Sequence, residues 1–492
     1  TDKNLAFRND PSRPVVYLTF ALNYSADGLD PAGYHWVNLA LHMATVVLIF
    51  LLAFRLTGFG QFERETHRLF FAAVAAAFFA LHPVQTEAVT YTSHRSDSLS
   101  ALFYFAALLF FINSIEDESK PVWPAGFCFV IALFSKQIAA TLPATALIVD
   151  YLFVSKGNKG GLKRHWKQHL TLWAILVAYL LFRRFYIGQI GDPGFGTEKT
   201  WTHLNYAWTQ PLVIVKYLKL LAMPVNQCID HYILPLKNPL SAESLYSISI
   251  FLGTALSGWI LHRRDVPFGR LMFFSVICFY ICLSPTSSVL PIDDAMAERR
   301  MYLPGLGWSL FLAGIYGAMM IKLAGSKKFI AAILAVHLLL LGAATWGRNN
   351  LYRAPEQMWK NAIQLYPQNP RPYENLAVHY WSVQDFAQCA LNFEKVAELK
   401  PDQASSFNNL GTIYDRMGDM DRAADSYRRS IALDSESSLS HRNLAKLYFR
   451  QKKFTESLAG FEKASSLNPN DDTLKSELET ARQAAVRKPT TR

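Results

Sequence analysis

HPVQTEAVTYTSHRSD, residues 82–97, stands between two long apolar runs, 69–81 and 98–112. Five of its sixteen residues are ionisable (His82, Glu87, His94, Arg95 and Asp97). Flanked on both sides by segments of membrane length, these groups sit at a membrane surface or in a cavity facing it. Such groups are costly in lipid, so something must offset their desolvation. The bland alternative is a short solvated loop, with Pro83 at a first helical position and Glu87 in the first turn. A second polar stretch favours the functional reading. IDDAMAERRMYLP, residues 292–304, has the same setting between apolar runs.

Working outward, apolar segments recur at 36–54, 69–84, 97–114, 121–135, 138–154, 170–187, 244–261, 269–285, 302–321 and 329–346. They predict about ten membrane-spanning helices. Beyond residue 347 no apolar run approaches the ~20 residues needed to cross a bilayer. The composition, 51% hydrophobic yet 18% charged, fits an apolar part joined to a polar one. The five cysteines form neither a metal-like nor a disulfide pattern; Cys278 and Cys282 share one apolar helix face.

The net charge is +11, and its distribution says more than its size. Basic residues crowd alternate connections: Arg55, Arg64 and Arg68; Lys120; Lys156, Lys159, Lys163, Arg164 and Lys167; Arg263, Arg264 and Arg270; Lys322, Lys327 and Lys328. The positive-inside rule makes these connections cytoplasmic. The opposite, periplasmic or luminal face then receives residues 82–97, Lys136, 187–243, 293–300 and everything after 346. Basic residues on that face, namely Arg95, Lys136, Arg183, Arg184, Lys216, Lys219, Arg299 and Arg300, lie at or near the outer ends of apolar segments. An anionic partner there, a lipid phosphate or pyrophosphate, explains them as a group. Snorkelling to headgroups explains any one singly. No nucleic-acid partner is expected. Residues 206–225 are apolar but hold Lys216 and Lys219, and the span parity leaves them re-entrant or interfacial. Residues 15–21 read as an interfacial helix ending in the turn 25–28.

From Trp359 the sequence repeats with a period of 34: Asn375-Leu376, Asn409-Leu410 and Asn443-Leu444; Tyr380, Tyr414 and Tyr448; Phe393, Tyr427 and Phe461; Leu399, Leu433 and Leu467. Ala390 and Ala424 hold a small-residue position that becomes Leu458. These are tetratricopeptide helix-turn-helix units, which stack into an α-solenoid. Trp359, Ala362, Leu365 and Pro367 form a half repeat in register, and 472–487 a polar capping helix. The expected division is therefore a polytopic domain over 1–346, a linker and half repeat over 347–370, and three repeats with a cap over 371–492. The fold class is all-α.

The blocks RPVVYLTFALNY (13–24), HWVNLALH (35–42), HPVQTEAV (82–89) with Arg95 and Asp97, FSKQIAATLPATALIVDYLF (134–153) and AERRMYLPGLG (297–307) precede the repeats. Together they resemble the transmembrane-and-tetratricopeptide-repeat (TMTC-like) family and its bacterial relatives. The resemblance covers nearly the whole chain. It implies a GT-C glycosyltransferase that moves a sugar, mannose in the animal members, from a polyprenyl-phosphate donor to protein hydroxyls on the luminal side. It also implies an upstream span whose outer loop carries paired acidic residues acting as general base. Only Asp2 and Asp10 precede the first block here, and the opening reads as the interior of a longer chain. Two motifs depart from the family: its Ser-Lys-Glu is Ser135-Lys136-Gln137, and its Gly-Arg is His94-Arg95.

Carried onto this chain, the resemblance puts the donor phosphate against Arg299, Arg300, Lys136 and Arg95. The carboxylate that takes the acceptor proton is Glu87, or else Asp293 or Asp294, with His82 orienting the base or the sugar. A divalent metal ion held by Glu87 and an upstream aspartate would serve the same site, but no pattern in the sequence supports one. The expected partners are membrane lipid and a secreted or periplasmic protein that the repeats recruit. The rival expectation is a membrane-anchored adaptor without chemistry. A transporter would show paired halves with broken spans, and no such symmetry exists.

Overall fold

A computed structural model describes residues 12–60, 64–188, 201–263, 268–292 and 294–486, and within them the chain is helical without a strand. By contacts it divides into two units, Thr1–Arg353 and Ala354–Arg492.

The first unit runs α1 (Pro14–Asp27), α2 (Pro31–Thr57), α3 (Glu65–Leu81), α4 (Thr86–Thr90), α5 (Arg95–Glu116), α6 (Trp123–Ser135), α7 (Leu142–Val149), α8 (Lys159–Arg164), α9 (Trp166–Phe182), α10 (His203–Ala222), α11 (Ala242–Arg263), α12 (Gly269–Leu283), α13 (Gly305–Lys322) and α14 (Lys327–Tyr352). Each of the ten expected apolar segments is helical where the sequence places it. Among the described residues seven helical stretches are long and apolar enough to cross a membrane, and the bent pair beginning with α3 makes an eighth; α6 and α12 are shorter. The count of ten is thus approximate. α14 continues to Tyr352, six residues past the expected end at 346, so the observed division falls at 353. Residues 203–222, expected to be re-entrant or interfacial, form one continuous helix capped by a reciprocal Thr202–Asn205 pair.

α2 shows why this unit belongs in a bilayer. Asp30 caps its start by accepting from the Ala32 N–H, and Pro31 fills the first position, where no N–H is needed. Its polar Asn38, His42 and Thr45 point inward and are buried, whereas Leu39, Met43, Val47 and Leu51 face outward, each more than 40% exposed. A helix in water would reverse that order. Polar groups turned inward with apolar groups outward is the arrangement lipid demands.

Pro83 decides the other critical geometry. A residue before proline is held out of the α region, and His82 has φ −75° and ψ 123°. α3 therefore stops at Leu81, and the chain resumes as Pro83–Gln85 and α4, bent by 52°. The stretch expected as a loop or a helix start is a series of short helical turns. It lies against the turn Glu298–Met301 and the end of α14.

The second unit contains α15 (Pro355–Leu365), α16 (Pro370–Ser382), α17 (Phe386–Leu399), α18 (Ala404–Met417), α19 (Met420–Leu433), α20 (Ser438–Arg450), α21 (Phe454–Leu467) and α22 (Asp472–Val486). Consecutive pairs α16/α17, α18/α19 and α20/α21 are the three repeats, with α15 as the half repeat and α22 as the cap. Leu376, Tyr380, Phe393, Leu410, Tyr414, Tyr427 and Phe461 are buried as the period requires, while Leu433 is exposed.

Candidate functional site

The turn Glu298–Met301 is a 3-10 helix. With three residues per turn, consecutive side chains leave it about 120° apart. Glu298, Arg299 and Arg300 therefore reach three different surroundings.

Arg299 points at α4 and its own loop. Its Nη1 donates to Glu87 Oε1 at 2.8 Å, its backbone N–H to Glu87 Oε2 at 3.0 Å, and its Nη2 to Asp294 Oδ2 at 3.2 Å. His94 Nδ1 lies 3.3 Å from the same Glu87 Oε1. Burial disfavours the Arg299 cation, but Glu87 and Asp294 outweigh it and hold its pKa above the ordinary arginine value.

Both oxygens of Glu87 are taken, and the carboxylate is buried. Its backbone occupies the first turn of α4, yet its carboxylate braces Arg299 rather than capping the helix. A divalent ion would have to displace the guanidinium at 2.8 Å, so the residues around Glu87 do not fit a metal. Among the described residues no trio of His, Cys, Asp and Glu is grouped as metal ligands.

Lys136, in the turn after α6, lies beside this cluster. Its Nζ donates to both oxygens of Asp97 at 2.6 Å. Burial pulls its pKa down to about 8; Asp97 opposes that shift, and Arg13 and Arg299 reinforce it.

Glu298 goes the other way. Its carboxylate accepts from Gln227 Nε2 at 2.9 Å, the Cys228 N–H at 2.6 Å and His231 Nε2 at 2.9 Å, with Arg348 Nη2 of α14 at 3.7 Å. Burial pushes its pKa up, but the His231 hydrogen bond and the Arg348 charge prevail and it lies below the usual value. Glu298, Gln227, His231 and Arg348 escaped the sequence reading. Glu298 lies inside the stretch 297–307, but its partners are 67–71 and 50 residues away, and adjacency in sequence cannot supply them.

Arg300, buried to 5% exposure, is the exception. Its Nη1 reaches the Ala295 carbonyl at 3.4 Å and its guanidinium hydrogen-bonds the Tyr206 phenol, but no carboxylate among the described residues pairs with it. Beside it lie Tyr206 and Tyr217 of α10. Burial raises both phenols, Tyr206 to about 12, and the Arg300 charge pulls against that shift. Tyr217 also clamps the turn: its hydroxyl donates to the Ala297 carbonyl at 3.0 Å and accepts the Ala297 N–H at 2.9 Å.

Two expected site residues lie elsewhere. Arg95 is fully buried, with Nε on Asn38 Oδ1 at 2.7 Å and its Nη atoms on the Thr19 and Tyr34 carbonyls at 3.2 Å. Phe20 stacks on its guanidinium at 4.4 Å. It fastens α1 and α2 to α5, which leaves its fork no room for a phosphate. His82 Nε2 donates to the Leu221 carbonyl at 2.9 Å and its Nδ1 accepts the Val84 N–H at 3.2 Å. Both nitrogens serve the backbone, so His82 is a clasp between the end of α3 and α10, not an orienter of base or sugar. Asp293, and likewise Asp2, Asp10 and Arg264, lies outside the described residues.

Fold and site together define a multi-span helical membrane protein with a buried ionic cluster, carrying tetratricopeptide repeats. A tetratricopeptide-repeat family model matches residues 374–438 and 408–472. Protein O-mannosyl-transferase Tmtc3 of Drosophila melanogaster is 23% identical over 452 residues, 79% of this chain and 48% of its own length. Protein O-mannosyl-transferase TMTC4 of Homo sapiens is 27% identical over 412 residues, 74% of this chain and 54% of its own. Protein O-mannosyl-transferase tmtc2 of Xenopus laevis reaches 33% over 150 residues, covering 29% of this chain and 17% of its own. The chain is thus similar over most of its length to protein O-mannosyl-transferases, and it spans about half the length of those relatives.

Proposed function

We propose that this chain belongs to a membrane glycosyltransferase that transfers a sugar from a polyprenyl-phosphate donor to protein hydroxyls on the periplasmic or luminal face, with the repeats recruiting the acceptor protein. The observation that carries this reading is Arg300. Leaving a buried charge without its partner costs roughly 3–5 kcal/mol, and an anionic ligand removes that cost. A lipid-linked phosphate, with its chain among apolar helices and its anion at the turn, suits the place. The names of the relatives favour a sugar as the cargo.

In the proposed reaction the acceptor hydroxyl oxygen attacks the anomeric carbon, the bond from that carbon to the phosphate oxygen breaks, and polyprenyl phosphate leaves with the electron pair. Arg300 meets the charge growing on the phosphate, assisted by Arg299 and Lys136, whose carboxylates already hold them in place. The hydroxyl proton goes to Asp294. Among the four carboxylates of the cluster it alone is appreciably open, its side chain 29% exposed against 0% for Glu87, 1% for Glu298 and 4% for Asp97. Glu87 is a positioning residue that aims Arg299, and Glu298 fastens the turn to Gln227, His231 and Arg348.

The test is transfer of radiolabelled sugar from membrane polyprenyl-phosphate donors to protein by the full-length gene product, compared with Asp294→Asn and Arg300→Gln. Loss of at least a hundredfold in both is expected, with a thermal midpoint that Arg300→Gln does not lower. Full transfer by Arg300→Gln overturns the donor site. No labelling by the unaltered protein, with a protein partner retained through the repeats, establishes the adaptor instead.

A further inference from the structure

Tyr206, Gln210, Val213 and Tyr217 recur at helical spacing along the buried face of α10. Tyr206 and Tyr217, at either end of this stripe, flank Arg300 and Ala297. Gln210 stands between them, 3% exposed, and neither its Oε1 nor its Nε2 has a hydrogen-bond partner. A buried primary amide left without any partner is rare, because each unmet donor and acceptor is penalised.

The chemistry of that amide narrows the ligand. Nε2 offers two donors and Oε1 accepts. Ionised phosphate oxygens only accept, so the spent lipid, a phosphate monoester in its dianionic form, satisfies Nε2 and Arg300 but leaves Oε1 unmet. A ligand that satisfies all three carries an anionic oxygen and a hydroxyl donor side by side. A glycosyl phosphate is such a group.

We infer that Gln210, together with Arg300, distinguishes the sugar-loaded lipid phosphate from the spent one, the amide donating to phosphate and accepting a sugar hydroxyl. This rests on the donor site proposed above and adds a specificity-determining residue on a helix that the sequence had marked only for its lysines. A transferase needs this discrimination, since product polyprenyl phosphate otherwise competes for the seat.

The test titrates the full chain in nanodiscs with three probes, a short-chain polyprenyl phosphate, its mannosyl ester and inorganic phosphate, and repeats this for Gln210→Leu and Arg300→Gln. The unaltered protein should bind the ester about tenfold more tightly than the bare lipid phosphate, and inorganic phosphate far more weakly than either. Gln210→Leu should bring the two lipids within twofold, and because it removes no internal hydrogen bond it should not lower the thermal midpoint. Arg300→Gln should weaken both lipids alike. A preference that survives in Gln210→Leu, or is absent from the unaltered protein, overturns the inference while leaving the donor site intact. So does a midpoint that falls in Gln210→Leu, because the amide would then be partnered within the fold. Inorganic phosphate binding as tightly as the lipids overturns the lipid source, and failure of the unaltered protein to bind either lipid brings down the donor site and this inference together.

Discussion

Arg95 and Arg300 are both buried arginines taken from the sequence as phosphate ligands, and the structure separates them by what surrounds each guanidinium. Arg95 is met by an amide, two carbonyls and an aromatic face, so Arg95→Leu should cost roughly 2–3 kcal/mol of stability. That loss is measurable as a fall in thermal midpoint, and the surviving folded protein should keep its donor affinity. Lys136 makes a prediction in pH. Its pKa of about 8 means that the ammonium is present below that pH and lost above it. Donor binding should therefore weaken as pH rises through 8, and Lys136→Arg, which stays charged, should hold its affinity to higher pH. A profile that is the same for both proteins would remove Lys136 from the anion's surroundings. The sequence could nominate these cations because charge beside apolar runs is visible in one dimension. It could not tell a cation with partners from one without, because Asn38 and Thr19 lie 57 and 76 residues from Arg95.

At the scale of the element, ten helices were legible because apolar length is a local property, and the repeats because their period is. What the sequence hid was the turn between helices. Pro83 announced a break, but the 52° bend that sets Glu87 beneath Arg299 depends on α4 meeting the Glu298–Met301 turn. Pro83→Ala should let α3 run on, raise helicity slightly by circular dichroism and reduce transfer at least tenfold by moving Glu87; full transfer would show that the bend is incidental. In the repeats, Gly411 of α18 packs against Tyr427 of α19 so closely that an added Cβ would lie 2.6 Å from the ring. Gly411→Ala should destabilise the second unit by roughly 1–3 kcal/mol through overpacking, read as a lower denaturant midpoint with little change in the membrane helices.

For the molecule as a whole, two units of opposite construction follow one another on a single chain. One turns polar side chains inward at α2 and the other keeps aromatic rows in its core, so the same residue types carry opposite meanings on either side of residue 353. Hydropathy puts the end of the last span at 346, whereas α14 runs on to Tyr352 because its last polar turns include Arg348, which is buried on Glu298 rather than exposed after the span. The two units should also separate in function. Removing residues 354–492 should leave donor binding intact and abolish transfer to protein acceptors, and equal loss of both would argue that the membrane unit does not fold alone.

The three-residue period of the Glu298–Met301 turn carries a consequence of another kind. Because each successive side chain is assigned to a different neighbour, inserting one residue between 295 and 304 would hand every charge to the wrong set of partners, whereas the exposed turn 156–157 has no such assignment to lose. An insertion scan along the chain should find that segment permissive and the 295–304 turn intolerant even of alanine, which makes length, more than composition, the quantity on which this part of the protein depends.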